Sequence, residues 1–217
     1  MDFIAGVFSV FPALLGATPV VLQLAVGAMI LALVGGLVLA LARLSGNRIV
    51  RGIAIVYVEV FRGTPLLVQL VYIYFVLPSI GISIDPIPAG ILGLGLNYAA
   101  YLSEVFRTSI LSVESGQTEA ALSLGYTPVK ALWRIVIPQS FVVSLGPLGN
   151  YFIAMVKDTA LTSVIAVMEI LKTANSINSQ TFQTTEIYTA AAILYLLISL
   201  PLSRLVVVLE KKARSHE

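Results

Sequence analysis

Five apolar stretches, at about residues 19–41, 50–80, 88–111, 146–170 and 187–209, take up most of this chain of 217 residues. A helical crossing of a bilayer needs about 20 apolar residues, so each stretch is long enough to span. The fold expected is all-α and integral to the membrane, with five transmembrane helices and no length left for a separate soluble domain. Residues 1–217 therefore read as a single transmembrane domain without a nucleotide-binding fold. The composition agrees: 58% of residues are hydrophobic and 11% charged, where soluble domains carry roughly 25% charged residues. The mean hydropathy is +0.97.

Several chemistries are excluded early. Cysteine is absent and His216 is the only histidine, which removes disulfides, thiolate metal sites and an imidazole metal cluster. The opening MDFIAGVFSVF has Asp2 and no basic residue, unlike a signal peptide, so insertion is expected to use the first span. No basic patch is interleaved with aromatics, which argues against a nucleic-acid partner.

Basic residues set the orientation. Arg43, Arg48 and Arg51 follow the first stretch, Arg107, Lys130 and Arg134 flank the connection after the third, and Arg204, Lys211, Lys212 and Arg214 close the chain. The alternate connections GISIDPIP and TANSINSQTFQTTE have none. The N-terminus is thus expected outside, the C-terminus in the cytosol, and the connection at about 112–139 on the cytosolic side.

Local signals refine the spans. Thr18-Pro19 reads as a helix start with Thr as cap, and Pro201 as a kink in the fifth span. Arg62-Gly63-Thr64-Pro65 breaks the second stretch in one of two ways. Either an interfacial helix ends there and the span begins at Pro65, or one long helix breaks inside the membrane with Arg62 near the midplane. The cost of a mid-membrane charge favours the first. Phe3, Val7, Phe11 and Leu14 predict an interfacial amphipathic helix, residues 173–186 a solvated outer loop, and Tyr72, Tyr74 and Phe75 interfacial belt aromatics.

In SVESGQTEAALSLGYTPVKALWRIVIPQ, Ser115 is a candidate N-cap, Glu119 falls early in a helix, and Gly125 is placed to end it in the left-handed conformation. Ala120 and Ala121 give a low-profile surface that can sink into a partner's groove, with Glu119 able to pair with a cationic rim. An ordinary surface helix would satisfy the same alanines. The full spacing of Glu119-Ala120-Ala121, Gly125 and Ile135-Val136-Ile137-Pro138 resembles the EAA loop of ATP-binding-cassette importer permeases, with Ile137 where leucine is usual. The stretches EVFRGTPLLVQ (59–69) and NYAAYLSEVFR (97–107) look like permeases of polar amino acid importers.

That resemblance implies a five-helix type I importer core in the bacterial inner membrane. It also implies a second permease subunit, the same or homologous, and an extracytoplasmic amino acid-binding protein. Glu119, Ala120, Ala121 and Gly125 would couple to a cytosolic ATPase, which would bind ATP and Mg; the chain itself would hold no cofactor and catalyse nothing.

Helical phase suggests a pathway. Asn97, Tyr101, Glu104 and Thr108 share one stripe of the third span, with Gly95, Ala99 and Ser103 forming a small-residue face opposite. Ser144, Tyr151, Asp158 and Thr162 cluster on the fourth, with Lys157 adjacent. Ionisable groups in a bilayer cost at least ~2.5 kcal/mol each, so they need partners or water. For a zwitterionic amino acid, Lys157 could take the carboxylate and Glu104 or Asp158 the ammonium, with Asn97, Tyr98 and Thr162 as neutral hydrogen-bond groups. Two acids against one lysine would tolerate a cationic side chain. Alternatively, Lys157 and either acid neutralise each other and lock two helices. The rival functions are a stand-alone ion-coupled transporter using Asp158 and Glu104, and an intramembrane enzyme with the same two carboxylates.

Overall fold

The computed structural model describes residues 3–214; Met1, Asp2 and His216 lie outside the described residues. The described residues form helices and no strand. In chain order they are α1 (Phe3–Gly16), α2 (Thr18–Leu44), α3 (Arg48–Gly63) and α4 (Leu66–Val71), which runs on through a π turn and a 3-10 turn to Ile80. Next come α5 (Pro86–Leu111), α6 (Ser115–Ser123), α7 (Pro128–Ala131) and α8 (Ile137–Asp158), the last continued by a 3-10 turn to Ile165. The chain closes with α9 (Ile170–Thr181) and α10 (Thr184–Arg214).

The centre of the bundle is the α2–α5 pair, and small residues bring these helices together. A Cβ on Gly95 would stand 2.6 Å from Leu31 Cδ2, one on Gly35 would stand 3.1 Å from Ala99 Cβ, and one on Gly36 would stand 2.8 Å from Leu102 Cβ. The face of Gly95, Ala99 and Ser103 thus receives α2, whose Ala28, Ala32 and Ala40 are fully buried. Around this pair one core runs from Leu24 and Leu94 through Leu102 and Phe106 to Met155. A second core joins α1, α9 and α10 through Leu14, Ile170, Ile187 and Leu194.

Three helical runs, Thr18–Leu44, Pro128–Ile165 and Thr184–Lys212, are long and apolar enough to cross a membrane, and α3 with Leu66–Ile80 makes a fourth if that bent pair is one span. Among the described residues, length and composition by themselves thus mark three or four crossings. The fifth candidate, α5, has 26 residues but carries Asn97, Ser103, Glu104 and Arg107, and protein rather than solvent covers much of it.

Other boundaries moved for identifiable reasons. Thr18 starts α2 but does not cap it: Ala17 holds the cap position in helical conformation, its amide donates to Leu14 O, and Thr18 Oγ1 is buried without a partner. With α1 running almost directly into α2, that helix start is not free. The fourth stretch is helical from Pro128 to Ile165 and stops where Ala166 turns left-handed at φ 64°. Residues 170–181 form α9 instead of a loop, because Glu169 caps it through the amides of Leu171 and Lys172. Of the α1 stripe, Val7 and Leu14 enter the second core and Phe11 packs against it, while Phe3 stays exposed with Ile4, Phe8 and Leu15.

The second stretch does break at Thr64-Pro65, and its halves meet at 103°. At the break Arg62, Gly63, Thr64 and Pro65 are exposed, while α5 holds the turns before it. Tyr57 Oη donates to Leu96 O at 2.9 Å and Asn97 Nδ2 to Phe61 O at 3.1 Å, which places the end of α3 against the middle of α5. The stretch is therefore two helices rather than one, and Arg62, itself exposed, stands at their junction beside α5.

Candidate functional site

Pro65 has no amide hydrogen, so the carbonyl of Phe61 loses its helical partner. Side chains repair the gap. Gln69 Nε2 donates to Phe61 O at 2.9 Å and to Thr64 O at 3.2 Å, while Thr64 Oγ1 donates to Val60 O at 2.8 Å. Asn97 Nδ2 reaches Phe61 O from α5 and also donates to Gln69 Oε1 at 3.0 Å. Irregular backbone within a membrane protein survives where protein or a water-filled cavity satisfies it, and here side chains and a cavity both meet it.

The cavity lies between the break, α5 and α8. It has a volume of about 440 Å³ and is lined by Arg62, Gly63, Thr64, Pro65, Leu66, Asn97, Tyr98, Tyr101, Tyr151, Ala154 and Asp158. Tyr98 Oη donates to Asp158 Oδ2 at 2.7 Å. The rings of Tyr98, Tyr101 and Tyr151 form a triangle with centroids 5.9–6.3 Å apart. The Arg62 guanidinium lies over the Tyr101 face, 5.3 Å from its centroid, within the range of a cation–π attraction. The site thus offers one cation, one anion, aromatic faces and the free carbonyl of Asn97.

Of the six candidate ligands, the structure brings Asn97, Tyr98 and Asp158 together and leaves Glu104, Lys157 and Thr162 outside the cavity. Glu104 is six residues past Tyr98, about 9 Å along the helix. It accepts from Arg43 Nη1 at 2.7 Å and closely from Arg107 Nη2. Lys157 is exposed and makes no ion pair among the described residues, because one residue is about 100° of helix and turns it away from the side that Asp158 presents. The lock between Lys157 and either acid is therefore not formed. Thr162 is fully buried, donates to Thr159 O at 2.7 Å, and packs its methyl opposite Gly90.

Sequence reasoning missed Arg62, Tyr101 and Tyr151 as site residues. The two tyrosines were visible on the polar stripes of their helices. The cost of a charge in lipid points Arg62 to an interface; in the structure it is exposed at the cavity wall, over the Tyr101 ring. Glu169 was also missed: this fully buried carboxylate accepts from Tyr195 Oη at 2.6 Å besides capping α9, and burial pushes its carboxyl above the usual range.

At the α6 end, Gly125 is left-handed at φ 82°. Its amide donates to Leu122 O and that of Tyr126 to Ala121 O, the paired bonds of a Schellman stop. Glu114 stands at the N-cap and Ser115 is the first helical residue, so the helix starts one position earlier than expected. Glu119 and Ala120 are exposed, but Ala121 is buried and packed on its own chain, so it adds nothing to an outward surface. The exposed apolar groups beside it are Leu122, Leu124 (81% exposed), Val129 and Trp133.

The family model described as binding-protein-dependent transport system inner membrane component matches residues 32–215. The chain is 40% identical over 205 residues to the L-cystine transport system permease protein TcyB of Bacillus subtilis (strain 168), with 94% of this chain and 88% of that protein covered. It is 38% identical over 191 residues to the glutamine transport system permease protein GlnP of Escherichia coli (strain K12), covering 85% and 87% respectively. Among solved structures it is similar to the crystal structure of an amino acid ABC transporter with histidines, with a TM-score of 0.88, 36% identity, and 98% and 99% of the two chains covered.

Proposed function

The chain belongs to the family of binding-protein-dependent transport system inner membrane components, and from that premise we propose that it is the membrane-spanning permease subunit of an ATP-driven amino acid importer. Relatives named for cystine and glutamine transport support the substrate class, and membership of this family sets aside a stand-alone ion-coupled transporter. The observation that carries the geometric part is the cavity at the α3–α4 break. Arg62 can take a carboxylate there, while Asp158 and the tyrosine faces can take an ammonium. A ligand so held would lie at mid-bundle, where a pathway has to pass it from one side to the other.

ATP hydrolysis belongs in this reading to a cytosolic ATPase, which binds ATP and Mg. Glu119 and Ala120, with the apolar groups at Leu122 and Leu124, are what α6 presents to it, and Gly125 fixes the helix end. The basic residues after α2, around α6 and at the chain's end support a cytosolic α6 and C-terminus and an outer N-terminus. A binding protein would deliver substrate from outside.

A second permease subunit is supported by one face of α8. Val143, Pro147, Asn150 and Lys157, continued by Val164, are exposed on one line. The exposed side of α2, by contrast, is wholly apolar at Leu22, Val26, Ile30, Val34 and Val38. Lipid suits the α2 face, whereas an amide and an ammonium call for protein or water.

Reconstitution of the chain with its ATPase and binding protein should give amino acid uptake that needs ATP. Accumulation in liposomes without nucleotide would refute the proposal. Glu119→Lys is expected to lower uptake per ATP hydrolysed by about ten-fold or more while insertion stays normal; an unchanged ratio would remove α6 from the coupling role.

A further inference from the structure

The cavity holds a fixed cation and a fixed anion that do not neutralise each other. No ion pair joins Arg62 to Asp158: the guanidinium rests on the Tyr101 ring, and the carboxylate accepts the Tyr98 hydroxyl on one oxygen. Opposite charges stabilise one another when they touch. Two that line one cavity without touching leave room for a ligand to complete both.

Among the described residues, no third ionic charge lines that cavity. Glu104 is taken up by Arg43 and Arg107 outside it, Lys157 faces elsewhere, and the rest of the wall is amide, phenol, hydroxyl, apolar side chain and backbone. The field is therefore dipolar, with formal charges that sum to zero. An α-amino acid is dipolar in the same sense, so its carboxylate and ammonium use up Arg62 and Asp158 with nothing left over. A further charge on the side chain would then meet a wall that has no counter-ion for it among the described residues, whereas a neutral side chain leaves the charges balanced.

Building on the reading of this cavity as the translocation site, we propose that the permease itself selects amino acids whose side chain carries no charge. The charge balance read from Glu104, Lys157 and Asp158 tolerated a cationic side chain. Exchanging Glu104 and Lys157 for Arg62 removes that tolerance. Selection here would be independent of the binding protein, because the two charges belong to the membrane subunit.

The test uses the complex of this chain with its ATPase in nanodiscs, with no binding protein, and measures equilibrium binding of labelled glutamine, arginine and glutamate. Glutamine should bind saturably and about ten-fold or more tighter than the other two. Arg62→Gln leaves the acid alone and should shift the arginine-to-glutamine preference toward arginine by about ten-fold. Asp158→Asn leaves the cation alone and should shift preference toward glutamate by a similar factor. Arginine or glutamate bound by the unmodified complex as tightly as glutamine would overturn the proposal, as would an unchanged order in both variants. The unmodified ranking does not depend on either variant folding. If nothing binds while ATP-driven amino acid uptake persists with the binding protein present, the charge rule falls and the importer reading stands. If uptake is also absent for every amino acid, the importer reading falls with it.

Discussion

Two groups of charges sit along α5, about two turns apart, and they are built in opposite ways. Around Glu104 each oxygen of the carboxylate meets an arginine, one from the end of α2 and one from the next turn of α5. Around Asn97 and Tyr98 the charges of Arg62 and Asp158 line one space and stay apart. The first arrangement is complete without any visitor and ties two helices at the end of the bundle. The second is incomplete, and its remaining valence points into a cavity. Residue type does not distinguish them; what does is whether the chain supplies its own counter-ion.

The sharpest way to break this contrast is Asp158→Ala. It removes the anion of the open group and leaves the Tyr98 hydroxyl without its acceptor, an unsatisfied group that costs about 1–3 kcal/mol. ATP-driven uptake in proteoliposomes should fall by about 100-fold, the loss of one charge-assisted contact, while the complex still assembles on a sizing column. Full uptake by the assembled variant would mean that the open group is not a ligand site. Glu104→Ala should act the other way round. Two arginines would lose their shared acceptor, and because all three side chains are partly exposed, the cost is held to about 1–2 kcal/mol. Thermal unfolding in detergent should show it as a lower midpoint, with apparent substrate affinity unchanged. A shifted affinity at full stability would put Glu104 back into the pathway. The smallest effect belongs to Lys157→Ala: an exposed lysine outside the cavity should change apparent affinity by no more than about two-fold, and a larger loss would show that it reaches the ligand from a surface this chain alone does not close.

Much of the scaffold was legible because it depends on neighbours in sequence. The small face of Gly95, Ala99 and Ser103 announced a close helix, and α2 fills it. Gly125 announced a left-handed stop, and the break at Thr64-Pro65 followed from the missing proline amide. Half of the ligand set was legible too, since helical phase brings Asp158 onto a polar line with Tyr151 and puts Tyr98 one residue from Asn97. What phase cannot supply is the opposing element. Glu104 finds Arg43 across 61 residues of chain, and Arg62 reaches Tyr101 only because the chain turns through 103° just after it. Pricing Arg62 against lipid does not reveal that partner, since the penalty describes a charge alone in hydrocarbon and not one stacked on a ring beside a cavity. The caps at Thr18 and Ser115 failed for a simpler reason: each depends on where the preceding residue lies in φ and ψ, which composition does not fix.

The repair of the broken helix has a mechanical meaning. A continuous helix resists bending because each turn is tied to the next by main-chain bonds, and all of them must yield together. Between Phe61 and Leu66 those ties are replaced by two carboxamides, Gln69 and Asn97, and one hydroxyl, Thr64. Side chains swing about single bonds on far shorter timescales than domains rearrange, and they can exchange partners one at a time. The joint therefore behaves as an elbow with removable pins, and Arg62 rides on its forearm, so any swing of α3 against α4 carries the cation with it.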